Sequence, residues 1–165
     1  MSLKSFILTV KDIAKKSAIP HFVNGEIVNS LGKKYDQITN PSNNELMGNI
    51  ILNDKKMCNM AIKNSSSSVK EFSKSSINSR IDKLIKWNNW IVENKNELAS
   101  LISEENGKTF VDAKAELDRG LEVVQYSFSA PTLLKGDYSI INDNLEIYTK
   151  KQPLGVTMGI LPFNF

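Results

Sequence analysis

The sequence is poor in the residues that hold small secreted or metal-bound domains together. Its 165 residues include one cysteine, Cys58, and one histidine, His21. A single thiol excludes an internal disulfide framework and suits a reducing compartment, and the lone Cys and His lack the partners that zinc ligation requires. No metal site is expected. Because Cys58 has no nearby His, the sequence predicts a buried structural thiol rather than a nucleophile.

Excess charge of one sign and long apolar runs are also missing. The 21 Lys and Arg residues and the 18 Asp and Glu residues give a net charge of only +3, which gives no case for a nucleic-acid-binding face. No apolar stretch approaches the roughly 18–20 residues that a membrane span needs. A hydrophobic fraction of 41% and a charged fraction of 24% are typical of a globular protein. Neither nucleic acid nor a membrane is therefore expected as a partner.

The N-terminus combines apolar and basic residues at helical spacing. The apolar residues on one helical face are Leu3, Phe6, Ile7, Val10, Ile13 and Ala14, and the basic residues on another are Lys4, Lys11 and Lys15. Such a segment, poor in acids, is what a mitochondrial presequence needs, although it lacks Arg. Residues 1–20 are predicted to be an N-terminal extension with two open interpretations. One is a targeting peptide for the mitochondrial matrix, and the other is a short surface helix, with the protein then in the cytoplasm.

The next part of the chain predicts strands, then three or four helices, then strands. Asn24-Gly25 predicts a hairpin over residues 21–28, and two more strands are expected at 35–39 and 46–52. Residues that favour caps, breaks and ends set the helix bounds. These are Asn53 or Asp54 before the first helix, Ser65 to Ser68 interrupting it, Asn78 or Ser79 before the second, Gly107 after the third, and Thr109 before and Pro131 after the fourth. A last hairpin is predicted across Asn142-Asp143-Asn144.

The closing segment carries the strongest apolar pattern. Leu154 to Leu161 is a nearly continuous apolar run that breaks at Pro162. A run without polar alternation predicts a strand buried on both faces, the usual state of a parallel sheet. Parallel neighbours come through long crossovers, and the sequence has nothing after Phe165 to supply them. We therefore expect an α/β protein and interpret the chain as the front part of a longer one.

Three features are candidates for a functional site. Asn106-Gly107-Lys108-Thr109 resembles the end of a phosphate-binding P-loop, but it follows a helix and has Ile102 where a glycine is needed, so a helix-to-helix turn is predicted. Arg119 falls outside the solvated stripe of the fourth helix. Its guanidinium is either paired with a carboxylate of the protein or available for one from a ligand, and spacing alone favours the internal pair. Asn164 could donate to an oxyanion after the closing strand, although Asn there is most often a turn residue.

Five separated motifs, taken together, resemble the aldehyde dehydrogenase superfamily in order and spacing over about residues 20–165. They are Phe22-Val23-Asn24-Gly25-Glu26, Asn40-Pro41, Glu105-Asn106-Gly107-Lys108-Thr109, Gln152-Pro153-Leu154-Gly155-Val156 and Pro162-Phe163-Asn164-Phe165. Two further segments, Arg119 to Val124 and Ala130 to Gly136, are similar to the CoA-acylating methylmalonate-semialdehyde dehydrogenase branch. Phe163 departs from the Trp that most members carry at that position.

The resemblance implies an α/β fold that is the N-terminal part of the aldehyde dehydrogenase fold. Residues 21–137 and 153–165 would form an incomplete Rossmann-like NAD-binding domain with its helices, and residues 138–152 part of a β-hairpin oligomerisation arm. NAD is implied as cofactor, coenzyme A as co-substrate, and a methylmalonate or malonate semialdehyde as the small-molecule substrate. The parent enzyme is expected to be a homotetramer or a homodimer.

The resemblance also implies roles for five residues. Asn164 matches the amide of the oxyanion hole, and Arg119 matches the arginine that grips the substrate carboxylate, which reverses the preference for an internal pair. The backbone of Leu161, Pro162 and Phe163 matches the stretch that lines the nicotinamide end of NAD. In the parent reaction a cysteine attacks the aldehyde and hydride passes to NAD, which leaves a thioester on the cysteine. The carboxylate is then lost as carbon dioxide or bicarbonate, and CoA takes the acyl group as propionyl-CoA or acetyl-CoA, in valine, pyrimidine or inositol catabolism.

The family's catalytic cysteine, general-base glutamate and ribose-binding residues lie downstream of the Pro-Phe-Asn motif and are not in this sequence. Cys58 does not replace the nucleophile. The chain is therefore expected to be an inactive fragment of such an enzyme. Two alternatives stay open: a fragment of a hydrolytic aldehyde dehydrogenase, against which Arg119 and Phe163 argue, and a non-catalytic short protein that pairs with a full-length homologue through residues 138–151.

Overall fold

A computed structural model describes residues 7, 10–14, 18–28 and 34–162. After a helical stretch at residues 10–14, the fold continues with two separate hairpins. Strand β1 (His21–Val23) pairs antiparallel with β2 (Glu26–Val28). Asn24 and Gly25 join them with φ values of 56° and 80°, the positive values that a tight hairpin turn needs and that an Asn-Gly pair adopts at low cost. The first predicted hairpin is confirmed.

Strands β3 (Tyr35–Thr39) and β4 (Leu46–Ile51) form the second antiparallel pair, as predicted. In the loop that connects them, side-chain oxygens accept hydrogen bonds from backbone amides. The Asn40 side chain accepts from the amide of Ser42 at 2.9 Å, and the Asn43 side chain accepts from that of Glu45 at 3.0 Å. Asn is favoured in turns for this reason.

The helices follow in sequence order. They are α1 (Lys55–Phe72), α2 (Ile77–Glu93), α3 (Lys95–Asn106), α4 (Phe110–Tyr126), a 3-10 turn (Ser127–Ser129) and α5 (Ala130–Leu133). Two predicted caps are confirmed, because the side chains of Asp54 and Thr109 accept from backbone amides of the first turns of α1 and α4 at 3.0 and 3.1 Å. Such caps satisfy amides that have no partner within the helix.

Three predicted helix boundaries are wrong. Helix α1 continues through the serine run, where Ser67 and Ser68 donate to carbonyls four residues back, so these hydroxyls are satisfied without breaking the helix. Helix α2 begins earlier than predicted, capped by Ser76. Helix α4 already ends at Tyr126, and Pro131 instead lies in the first turn of α5, where its missing amide hydrogen costs nothing.

The core lies between α2, α3 and α4 and is small. Ala99, Ala113 and Leu121 are buried there, and the buried Asn88 accepts from Gln125 at 3.4 Å. The chain exposes 12,894 Å², whereas a compact protein of 18.5 kDa exposes about 8,200 Å². Much of its apolar surface is therefore uncovered.

The last hairpin is confirmed, but the closing strand is not. Strands β5 (Tyr138–Asn142) and β6 (Leu145–Tyr148) pair antiparallel, with every residue exposed. Residues 154–161 form no strand, and Leu154 and Leu161 are 95% and 89% exposed. A buried strand needs a hydrogen-bonded neighbour, and the described chain contains only three two-stranded antiparallel sheets. The predicted buried strand over residues 154–161 is therefore wrong, and the described residues combine helices with small antiparallel sheets.

Candidate functional site

The candidate site is built around the turn between α3 and α4. Gly107 ends α3 with a φ of 82°, and its amide donates to the carbonyl of Ser103 at 2.9 Å. Glycine adopts this left-handed conformation readily, which makes it a common helix terminator. Thr109 then caps α4. The prediction of a helix-to-helix turn, rather than a P-loop, is confirmed.

Lys108 turns inward at this junction and pairs with Glu116. Its ammonium donates to the Glu116 carboxylate, and the two side chains are only 5% and 21% exposed. The carbonyl of Lys108 accepts from the hydroxyl of Ser103 at 2.6 Å. Because an unpaired charge in such a place is costly, the pair fixes the start of α4 relative to the end of α3.

A cleft of about 560 Å³ lies beside this pair. Ile38 of β3, Ile102 and Glu105 of α3, and Glu116 of α4 contribute to its lining. Leu161 and Pro162 of the closing segment line the same cleft. The structure thus brings two of the predicted cofactor-lining residues together with the helix-to-helix turn, far from them in sequence.

Arg119 lies outside the cleft lining. It projects from α4 and donates to the carboxylate of Glu122 at 2.9 Å, with its side chain 73% exposed. Val123 and Tyr126, which share its sector, are each 67% exposed. The internal pair favoured by spacing alone is therefore present, but exposed pairs of this type stabilise a protein by well under 1 kcal/mol. The guanidinium stays accessible, and its role toward a substrate carboxylate stays a prediction.

Two predicted site residues, Phe163 and Asn164, lie outside the described residues. Cys58 is exposed on α1, so the prediction of a buried thiol is wrong. The reason is that α1 has no buried residue at all, and its half-buried positions, such as Met57 and Ala61, do not include Cys58.

The described part of the chain contains neither a metal-binding cluster nor a helix that could cross a membrane. Within it, no three His, Cys, Asp or Glu side chains come together as a metal-binding group. None of its helices has the length and apolarity to cross a bilayer.

Sequence reasoning missed the Lys108–Glu116 pair. A signal was present, because Glu116 lies between Ala113 and Leu117 on the inward part of α4, where a carboxylate requires a cation. Lys108, at the turn just before the helix, is a cation that reaches it.

Comparison with known proteins gives one family. The model of the aldehyde dehydrogenase family matches residues 27–165. The malonate-semialdehyde dehydrogenase of Pseudomonas aeruginosa is 37% identical over 146 residues, which are 88% of this chain and 29% of that protein. The mitochondrial, acylating methylmalonate-semialdehyde/malonate-semialdehyde dehydrogenase of Mus musculus is 35% identical over 145 residues, which are 87% of this chain and 27% of that protein.

Solved structures agree with the sequence comparison. The methylmalonate-semialdehyde dehydrogenase of Oceanimonas doudoroffii matches with a TM-score of 0.77 and 27% identity, over 82% of this chain and 28% of that one. The NAD complex of a Sinorhizobium meliloti protein assigned to the same enzyme class gives the same TM-score and identity over 81% of this chain and 28% of that one. The chain thus spans less than a third of the length of the relatives it matches.

Proposed function

The chain belongs to the aldehyde dehydrogenase family, and we propose that it forms the first part of an NAD-dependent, CoA-acylating methylmalonate- or malonate-semialdehyde dehydrogenase. The observation that carries the proposal is that sequence and structure select the same branch. Relatives named for these two semialdehydes are 35% and 37% identical, and a structure named for one of them superposes with a TM-score of 0.77 at 27% identity.

In the proposed reaction the semialdehyde is oxidised to a thioester on the enzyme's cysteine, with NAD as hydride acceptor. The carboxylate is then lost as carbon dioxide or bicarbonate, and CoA takes the remaining acyl group as propionyl-CoA or acetyl-CoA. The described residues contribute binding surface to this reaction. The cysteine that would carry the acyl group is not among them, since the sequence contains only Cys58 on α1.

The cleft beside the helix-to-helix turn suits part of a dinucleotide. Its described lining combines apolar side chains, among them Ile38, Ile102 and Leu161, with the carboxylates of Glu105 and Glu116, and it includes no Lys or Arg. Apolar walls accept a ring, and carboxylates accept hydrogen bonds from ribose hydroxyls, but neither attracts a pyrophosphate. We therefore assign Leu161 and Pro162 to the nicotinamide–ribose end of NAD.

Arg119 is proposed to bind the carboxylate of the semialdehyde. An accessible guanidinium held only by an exposed partner, Glu122, can exchange that partner for a substrate carboxylate in bidentate geometry. Asn164 is proposed to donate to the oxyanion. Loss of one such donor typically costs about 3 kcal/mol of transition-state stabilisation.

The test is an assay of the 165-residue chain beside the product of the complete reading frame. The chain alone is expected to form no NADH from malonate semialdehyde, whereas the complete product forms NADH and acetyl-CoA only when CoA is supplied. Formation of free acid at the same rate without CoA would support the hydrolytic alternative. A reading frame that stops after codon 165 would contradict the proposal.

A second candidate function, non-catalytic pairing with another chain, is favoured by the exposed hairpin. Every residue of β5 and β6 is exposed, among them Tyr138, Ile140 and Ile147, and an isolated hairpin is marginally stable in water. In the proposed parent enzyme this hairpin would serve assembly into a homodimer or homotetramer. Sedimentation of the chain with and without a full-length homologue tests it, and co-sedimentation that is lost on replacing Ile140 and Ile147 by Lys is expected.

We also propose a mitochondrial location. The basic amphipathic pattern of residues 3–15 supports it, as does the mitochondrial name of the Mus musculus relative. A fluorescent fusion at the C-terminus of the chain tests it, and a cytoplasmic signal would contradict it.

A further inference from the structure

The N-terminal segment, meaning here residues 7–20 as far as they are described, is packed against the fold. Residues 10–14 are helical, and Ala14 and Ala18 are only 3% and 5% exposed. In a chain with so few buried side chains, these two belong to the small buried set. A segment that merely lies ahead of the fold would not be buried to this degree.

The closest approach is between Ala14 and Gly48 of β4. Gly48 is buried, and a Cβ added to it would lie 2.6 Å from the Cβ of Ala14 and 3.3 Å from its carbonyl carbon. Contacts under 3.0 Å essentially never occur between real Cβ atoms. Only glycine therefore fits at position 48 while the N-terminal segment stays in place.

Two polar contacts hold the segment on either side of this approach. After it, the amide of Ile19 donates to the carbonyl of Asn49 in β4 at 2.8 Å. Before it, the ammonium of Lys11 pairs with the carboxylate of Glu104 on α3, with the side chains 30% and 46% exposed. The segment is thus attached to β4 at one end and to α3 at the other.

Apolar side chains line a cavity between these attachments. Ile7, Val10 and Ile19 of the segment and Ile38, Met47 and Leu101 of the fold border this cavity, whose volume is about 320 Å³. Without the segment, this apolar surface of β3, β4 and α3 would be open to water, at about 25 cal/mol for each Å² exposed. The segment therefore shields apolar surface of the fold.

We propose that residues 10–14, 18 and 19 are a permanent part of the fold, which tie β4 to α3 and stay attached in the mature protein. The alternative is a removable leader, whose loss would open the apolar surface below it. The proposal concerns whether the segment is retained, and it is independent of the compartment and of the enzymatic proposal.

The first test is limited trypsin digestion of the 165-residue chain. The sequence offers cleavage after Lys11, and we expect this site to be cut slowly because Lys11 lies in a helical stretch and pairs with Glu104. Gly48→Ala should raise cleavage at Lys11 about tenfold, because the added methyl displaces the segment and digestion follows the population of the open form. The cut sites are identified by mass spectrometry.

A matched control and a rescue variant separate displacement of the segment from general damage. Gly120→Ala adds the same methyl on α4, where nothing lies within 4 Å, and it should leave cleavage unchanged. Combining Ala14→Gly with Gly48→Ala moves the methyl from one side of the contact to the other. It should restore slow cleavage, which no general defect of β4 would do.

The outcomes are distinct. Cleavage after Lys11 in the unaltered chain at the rate of a free peptide of residues 1–20, or an unchanged rate in Gly48→Ala, would overturn the proposal. Accelerated cleavage that spreads to Lys83 and Lys86 of α2 and is not reversed by Ala14→Gly would also count against it. N-terminal sequencing of the protein from cells gives an independent answer: a mature end before residue 10 supports retention, and an end after residue 18 refutes it.

Discussion

The ammonium of Lys108 and the carboxylate of Glu116 form an ion pair at the start of α4, with 5% and 21% of their side chains exposed. Glu116 also lines the cleft that Leu161 and Pro162 reach. The pair therefore lies between the helix-to-helix turn and the part of the closing segment that is proposed to bind the cofactor.

Lys108→Ala is expected to destabilise the chain by about 1–3 kcal/mol, because it removes a charge-assisted hydrogen bond in a place with little access to water. Urea denaturation followed by circular dichroism measures the change. Lys74→Ala is the matched control, since Lys74 pairs with Glu71 at 2.7 Å and both side chains are more than 70% exposed. It should change stability by less than about 0.5 kcal/mol. Equal effects in the two variants would show that the Lys108 pair is hydrated like a surface pair.

Gly107→Ala is expected to cost more than Gly25→Ala, although both glycines have φ near +80°. The left-handed conformation costs about 1–2 kcal/mol for an L-residue in either place. At Gly107 the new Cβ would also lie 2.8 Å from Cγ of Pro41, whereas at Gly25 it would meet nothing within 4 Å. The difference in unfolding free energy between the variants thus measures the packing of the turn on Pro41. Indistinguishable losses would mean that the turn and Pro41 are not in tight contact.

The parts of the fold that sequence could predict are those that depend on neighbouring residues. Asn24-Gly25 determined a hairpin, and Thr109 determined the start of α4, because a turn or a cap needs only the residues that form it. The closing run could not be placed in this way. Its apolar residues give a strong tendency to be buried, but burial also needs a surface that covers them, and within the described chain Leu154, Met158, Ile160 and Leu161 all stay more than 80% exposed.

The candidate site was also predictable only in part, because some of its features depend on tertiary packing. Resemblance identified Leu161 and Pro162, but the cleft that they line together with residues of β3, α3 and α4 follows from the tertiary structure. The pairing of Lys108 with Glu116 depends on the turn geometry of Gly107 as well as on the spacing of the two residues. The pattern assigned Arg119 to a sector outside the solvated stripe, but the structure exposes that sector too, because no other described element covers it.

The structure and the sequence place the N-terminal cap of α2 at different residues, so mutations can decide between them. The hydroxyl of Ser76 accepts from the amide of Ser79 at 3.2 Å, so Ser76→Ala should destabilise the chain by about 1 kcal/mol. Ser79, one of the two residues predicted from sequence as the cap beside Asn78, is an exposed residue of the first turn. Ser79→Ala should be neutral or stabilising by a few tenths of a kcal/mol, since Ala has the higher helix propensity. A larger loss at Ser79 than at Ser76 would return the cap to the position expected from sequence.

Tyr138 in the exposed hairpin gives a prediction of pH dependence. Its hydroxyl donates to Glu146, and this hydrogen bond raises the pKa of Tyr138 above its usual value, with a smaller contribution from burial. Because the folded hairpin favours the protonated phenol, the stabilisation is complete below pH about 10 and is lost as pH rises through the elevated pKa. Glu146→Gln should lower the pKa of Tyr138 toward its usual value, as seen in an NMR titration of the ring. Glu26→Gln in the first hairpin is the control and should leave the titration of Tyr138 unchanged. A titration midpoint that does not move in Glu146→Gln would show that the hydrogen bond is not formed in solution.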